Sequence, residues 1–193
     1  MVGKTSSKSK ATPKKPVAKK SVKTTAKPEA KASLKRKIIT AAICIAVPVL
    51  AGLLSSVLTG DAMGKFADFV KPPLAPPAWL FPVAWTILYI MMGLASYFII
   101  IAPTRTKQDK FERKVAVIVY LAQLAFNFVW TPIFFLAGDY FFALVWLIIM
   151  WLMIVVLMFW ARHRSMAAVW LLLPYALWCL FAMYLNASIM ILN

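Results

Sequence analysis

The feature that most constrains this chain is a set of five long apolar runs: Ile38–Leu58, Trp79–Ala102, Val115–Leu136, Tyr140–Ala161 and Ala167–Leu192. A helix rises about 1.5 Å per residue, so about 20 apolar residues cross the hydrocarbon of a bilayer. Each run supplies that length, and none carries Asp, Glu, Lys or Arg in its middle. One such charge there would cost about 2.5–3.5 kcal/mol on insertion. Inside a membrane the backbone must pair its own N–H and C=O groups, which makes each run a helix. The expected fold is all-α, a bundle of five transmembrane helices. Composition agrees, since 63% of the 193 residues are apolar against about 45–50% in water-soluble domains.

The net charge of +16 suggests a nucleic-acid binder until it is located. Thirteen of the twenty-two Lys/Arg, against the single acid Glu29, fall in residues 1–37. That segment is Lys, Ala, Ser, Thr and Pro with almost no large apolar side chain. It has too little surface to bury to offset its ordering entropy, so it is expected to be a disordered tail preceding a membrane domain at 38–193. A solvated tail touching anionic lipid is the leading reading, at roughly 1 kcal/mol or less per Lys. Phosphate-backbone binding and organelle targeting are the minor ones.

The remaining charges orient the bundle. Arg105, Lys107, Lys110, Arg113 and Lys114 lie between the second and third spans, and Arg162 and Arg164 between the fourth and fifth. The third-to-fourth connection has only Gly138 and Asp139, and the first loop balances Lys65 and Lys71 against Asp61 and Asp68. Positive charge marks the cytoplasmic side. The N-terminus and the two basic loops are therefore expected there, and the first loop opposite. The first loop has a strong signature of its own. Pro72, Pro73, Pro76, Pro77 and Pro82 fall within eleven positions, and proline fixes φ and lacks an N–H, so a stiff strap leads into the second span. It is expected to act as a lid.

Helical spacing assigns inward faces. Phe81, Trp85, Tyr89, Met92 and Ser96 share a stripe of the second span. Gln123, Asn127, Trp130, Thr131 and Phe134 share one on the third, whose polar members would be costly against lipid. Pro174, Trp178, Phe181, Ala182 and Leu185 form the fifth-span stripe, with Asn186 beside it. Pro132 and Pro174 free the carbonyls of Phe128 and Trp170, so kinks are expected. Trp85, Trp130 and Trp178 converge from three helices around Asn127, a lining suited to a large planar apolar ligand.

Enzyme signals are sparse. His163 sits between two arginines with no Cys or carboxylate beside it, no Gly-rich phosphate loop or nucleophile–base pair occurs, and Cys44 and Cys179 lie inside apolar runs. No catalytic and no metal-ligating residue is nominated, and no cofactor is required.

Four stretches, in order and at this spacing, give the chain a resemblance that covers residues 40–193. They are Lys71-Pro72 through Pro76-Pro77 to Trp85-Thr86-Ile87-Leu88-Tyr89, then Asn127-Phe128-Val129-Trp130-Thr131-Pro132-Ile133-Phe134-Phe135. Leu173-Pro174-Tyr175-Ala176-Leu177-Trp178 and Phe181-Ala182-Met183-Tyr184-Leu185-Asn186 complete the set. Together they resemble the TspO/MBR family of tryptophan-rich sensory proteins and translocator proteins. The resemblance implies a five-helix bundle, usually a homodimer, with a pocket beneath the first loop. It implies porphyrin or haem-type tetrapyrroles, sterol-like molecules and benzodiazepine-site compounds as ligands. On matching positions, Trp85, Tyr89, Asn127, Trp130, Trp178 and Ala182 would line the pocket and Pro76 would close it from above.

The implied role is a membrane receptor or sensor in tetrapyrrole or stress metabolism. Its alternatives are light-dependent porphyrin breakdown on Trp85 and Trp178, or transport of tetrapyrroles or lipids. Three positions depart from the family pattern: Leu74 stands for a Trp, Lys65-Phe66 for a Trp-Tyr pair, and no basic residue follows Tyr184 as in the animal sterol motif.

Overall fold

Helix begins earlier than the apolar pattern alone suggests. The computed structural model describes residues 26–193, Met1 and Gly3, with side chains from Ser33 onward except that of Met63. Its elements are α1 (Ala26–Thr59), α2 (Ala62–Asp68), α3 (Leu80–Ile101), α4 (Lys107–Pro132), a π-helical turn (Ile133–Ala137), α5 (Tyr140–Ala161) and α6 (Met166–Leu192). The expected tail, residues 1–37, lies mostly outside the described residues. Its last part is corrected, because α1 starts at Ala26 rather than Ile38. Ala, Leu, Lys and Arg are good helix formers, and extending a helix whose later turns are already packed requires no new nucleation.

Among the described residues five helices are long and apolar enough to cross a membrane: Ser33–Thr59, Leu80–Ile101, Lys107–Ala137, Tyr140–Ala161 and Met166–Leu192. The chain is an integral multi-pass membrane protein. α1 packs on α3, α3 on α6, α6 on α5, α5 on α4 and α4 on α1, so the spans close a ring. Met92 and Ile99 of α3, Leu147, Met150, Ile154 and Leu157 of α5, and Leu172 and Tyr175 of α6 fill its centre. Leu50, Val57, Phe141, Leu152, Trp170 and Leu177 face outward, where lipid tails are as apolar as they are. Two indoles bridge neighbouring spans. Trp146 Nε1 donates to the Phe126 carbonyl (2.8 Å) and Trp151 Nε1 to that of Ala176 (3.1 Å).

The prolines shape this ring through the carbonyls they release. Pro132 cannot bond the Phe128 carbonyl, and Ser55 of α1 takes its place, its hydroxyl donating at 3.0 Å. The helix then widens into the π turn and ends at Gly138, whose φ of 66° is left-handed. Asp139 restarts the chain by accepting from the Phe142 N–H (2.9 Å), the N-cap of α5. Pro48, inside α1, likewise leaves the Cys44 carbonyl without its helical N–H. Gly93 of α3 lies against that carbonyl so closely that a Cβ there would stand 2.7 Å from it and 2.5 Å from Ile45 Cα. α1 and α3 are thus pinned together at mid-span.

The basic residues gather at one end of the ring. Arg105, Lys107, Lys110 and Arg162 are exposed there. Arg164 is drawn in: it pairs with Asp109 (3.3 Å) and donates to the carbonyls of Ala102 (3.0 Å) and Pro103 (2.6 Å), tying two loops together. Thr106 and Asp109 form a capping box at the start of α4.

Candidate functional site

At the opposite end, beneath the first loop, the ring encloses a cavity of about 270 Å³. Its walls come from four spans. α3 contributes Trp85 and Tyr89, stacked at 5.5 Å with 30° between their planes. α4 and its π turn contribute Trp130 and Phe134, stacked at 5.3 Å and 26°. The space between these aromatic pairs exists because small residues face them: Gly52 and Ser55 on α1, and Ala182 on α6. A Cβ on Gly52 would fall 2.1 Å from the Tyr89 ring, so this glycine is what lets the ring lie flat on the floor.

The floor is held by a relay of buried polar groups. Tyr89 Oη donates to Asn127 Oδ1 (2.7 Å), Asn127 Nδ2 donates to Tyr175 Oη (3.1 Å), and Tyr175 Oη donates to Gln123 Oε1 (2.9 Å). Each hydroxyl gives one hydrogen bond, and that of Tyr175 accepts one as well. The relay joins α3, α4 and α6 in a region where unpaired polar groups are costly. Trp85 also sets its edge on Tyr175 at 6.3 Å. Asn186 lines the cavity too. With its amide oriented so that the nitrogen donates to the Tyr140 carbonyl (2.8 Å), the oxygen accepts from the Leu144 N–H (3.3 Å).

The lid is a helix and a strap, not the strap alone. α2 was not foreseen. Asp61 caps it by accepting from the Gly64 N–H (2.8 Å), and it lowers Phe66 onto the edge of Phe81 at 4.7 Å. Phe69 wedges against Phe134 (6.0 Å) and Tyr140 (5.6 Å). Lys65 Nζ donates to the Phe135 carbonyl (2.8 Å). The strap beyond is fastened to the end of α6: the Val70 N–H donates to Asn193 Oδ1 (2.9 Å), Asn193 Nδ2 donates to the Val70 carbonyl (3.3 Å), and Tyr184 Oη donates to the Pro73 carbonyl. The position with Leu74 carries a left-handed φ of 69° and an 83% exposed side chain.

The nominated residues therefore divide. Trp85, Tyr89, Trp130 and Ala182 line one cavity. Asn127 lies one layer below, buried, and positions Tyr89. Trp178 stands behind Phe81, edge-on at 6.1 Å, and reaches the cavity only through that ring. Pro76 lies in the strap outside the lining; Gly60, Ala62 and Phe66 close the top. The inward face of α6 overlaps the expected stripe in part. Ala182, Leu185 and Asn186 are buried and line the cavity, and Leu172, Tyr175, Cys179 and Ile189 are buried with them at three- and four-residue steps, while Pro174, Trp178 and Phe181 flank them. Tyr175 and Cys179 could have been found from that spacing. The α1 wall could not, because Gly52 and Ser55 carry no aromatic signal.

A ring of five membrane-spanning helices, covered at one end over a cavity walled by stacked tryptophan and tyrosine, defines a polytopic membrane protein with an aromatic cavity between its spans. The TspO/MBR family profile matches residues 44–192, all five spans, and the chain belongs to that family. It is 37% identical to a tryptophan-rich protein TspO of Chlorobaculum tepidum over 82% of this chain and 98% of the relative. It is 40% identical to a tryptophan-rich sensory protein of Cereibacter sphaeroides over 64% of this chain and 73% of the relative. A translocator protein of Ovis aries is 35% identical over 72% of this chain and 82% of the relative.

Proposed function

We propose that this protein is a membrane receptor or sensor that holds a flat, largely apolar ligand, a porphyrin-type tetrapyrrole, between Trp85–Tyr89 and Trp130–Phe134. The observation that carries the reading is the pair of aromatic stacks facing one cavity across small residues. Stacking on indole and phenol faces suits a conjugated ring. At about 270 Å³ the cavity is slightly smaller than the ~300–1,000 Å³ that enclose drug-sized molecules, so it takes one edge of a macrocycle rather than the whole. Sterol-like molecules are a second ligand class that the same apolar walls accept. A sensory role in tetrapyrrole or stress metabolism accords with the relative described as a tryptophan-rich sensory protein.

In this reading the working form is a homodimer, and the end bearing Arg105, Lys107, Lys110 and Arg162 faces the cytoplasm, by the usual sidedness of basic loops. The test is titration of purified protein with protoporphyrin IX, following quenching of tryptophan fluorescence. Saturable quenching is expected, and Trp85→Phe weakens affinity about tenfold, the loss of about 1.4 kcal/mol of stacking. Trp178→Phe changes it less than about twofold, since that ring stands behind Phe81. Linear, non-saturating quenching, or indifference to Trp85, would refute the site. Illumination of the bound complex distinguishes a receptor from a photo-oxidative enzyme by whether the porphyrin spectrum is replaced by a new product.

A further inference from the structure

On the first-loop side the cavity is covered except at Gly60, and the rest of its exposed rim lies between α1 and α3. On the water side, Phe66 is 3% exposed and Ala62 7%. α2 and the strap are fastened by Lys65 to the Phe135 carbonyl, by the paired Val70–Asn193 bonds and by Tyr184 to Pro73. On the side between α1 and α3 the lining residues themselves are exposed: Leu53 at 58%, with Ser56, Pro82 and Thr86. Gly93 against the Cys44–Ile45 backbone holds these two helices together at mid-span. Gly52 lies on the Tyr89 ring nearer the first loop, and the lining residues Leu53, Ser56, Pro82 and Thr86 are exposed between the two helices.

The rim is also chemically fitted to hydrocarbon. Thr86 Oγ1 donates to the Pro82 carbonyl within its own helix (2.7 Å), so its hydroxyl is satisfied and its methyl is free to face outward. Pro82 presents a ring and no N–H.

We propose that the ligand is loaded sideways from the bilayer, through the slot between α1 and α3 rimmed by Leu53, Ser56, Pro82 and Thr86, and not from water beneath the strap. This rests on the ligand-cavity reading above and narrows it. The natural ligand is a molecule already dissolved in the membrane, and a ring system too large for the cavity leaves its far edge in the slot. The lid then serves to exclude water rather than to gate the ligand.

Stopped-flow quenching with protoporphyrin IX in nanodiscs tests this. Leu53→Ala widens the slot and raises the association rate constant about fivefold, whatever the loss of its own lining contact does to Kd. Thr86→Trp narrows it and lowers the association rate constant about tenfold. Tyr184→Phe with Asn193→Ala frees the strap and leaves both rates as in the wild type. Rates that ignore the slot variants, or that rise when the strap is freed, overturn the lateral route while leaving the cavity intact. A wild-type protein that does not bind at all removes the receptor reading and the route with it.

Discussion

Asn127 is the best single test of how the cavity is held, because it touches none of the space yet fixes its floor. Replacing it with leucine keeps the branched shape, exchanges the amide for two bulkier methyl groups and deletes two interhelical hydrogen bonds, at 2.7 Å from Tyr89 and 3.1 Å to Tyr175. Hydrogen bonds between membrane helices are worth about 0.6 kcal/mol on average and up to about 1.7, so two account for about 1–3 kcal/mol. The partners do not suffer equally. Tyr175 keeps Gln123 as its acceptor at 2.9 Å, whereas the Tyr89 hydroxyl is left as a donor without an acceptor, itself a cost of about 1–3 kcal/mol. The expected destabilisation is about 2–3 kcal/mol.

Tyr89→Phe alone loses one bond, about 1 kcal/mol, and the double variant falls short of the sum by about 1 kcal/mol because the two side chains share that bond. Reversible unfolding in mixed SDS micelles, followed by far-UV circular dichroism, measures all three variants. The affinity for protoporphyrin IX should also drop in Asn127→Leu, since an untethered Tyr89 ring no longer holds its stack with Trp85. Strict additivity, or a loss below about 0.5 kcal/mol for Asn127→Leu, would show that the relay does not hold α3 to α4.

Two other outcomes follow from close approaches. Gly93→Ala places a Cβ 2.5 Å from Ile45 Cα, a backbone atom that cannot yield; α1 and α3 must separate, at a cost of about 1–3 kcal/mol in the same unfolding assay. Gly52→Ala meets first the Tyr89 ring, 2.1 Å away. That ring is expected to swing into the cavity, costing less than Gly93→Ala in stability but most of the porphyrin quenching.

The membrane domain was legible because its governing rule is local. Twenty apolar residues without a charge make a span regardless of what surrounds them, and the stripe on α4 read correctly because its Gln123 and Asn127 have nowhere to go but inward. Asp139, in the short connection between the third and fourth spans, is an N-cap because the chain must satisfy the first amides of α5. The α6 stripe was half right: its smaller members, Ala182 and Leu185, face the interior, whereas its large aromatics, Trp178 and Phe181, flank it and Cys179 takes their place. Size is a poor guide to direction where the outside is apolar too. Helix α2 escaped notice because seven residues, Ala62–Asp68, carry no usable periodicity and are held by Phe66 and Phe69 packing rather than by propensity.

By itself, then, the sequence determined five membrane-crossing helices, a proline strap between the first two, basic loops on one side and a set of inward tryptophans and amides. Each follows from local hydropathy, charge or the chemistry of proline. Tertiary structure alone decided which of those tryptophans share a cavity, that Ser55 reaches across to the carbonyl released by Pro132, and that Gly52 and Gly93 set the spacing of α1 against α3. Such facts depend on how far apart two helices stand and at what rotation. Those quantities are fixed by contacts between residues distant in the chain, and side-chain type at one position does not encode them. The exposed rim at Leu53 and Thr86 lies beyond the two glycine contacts that bring these helices together.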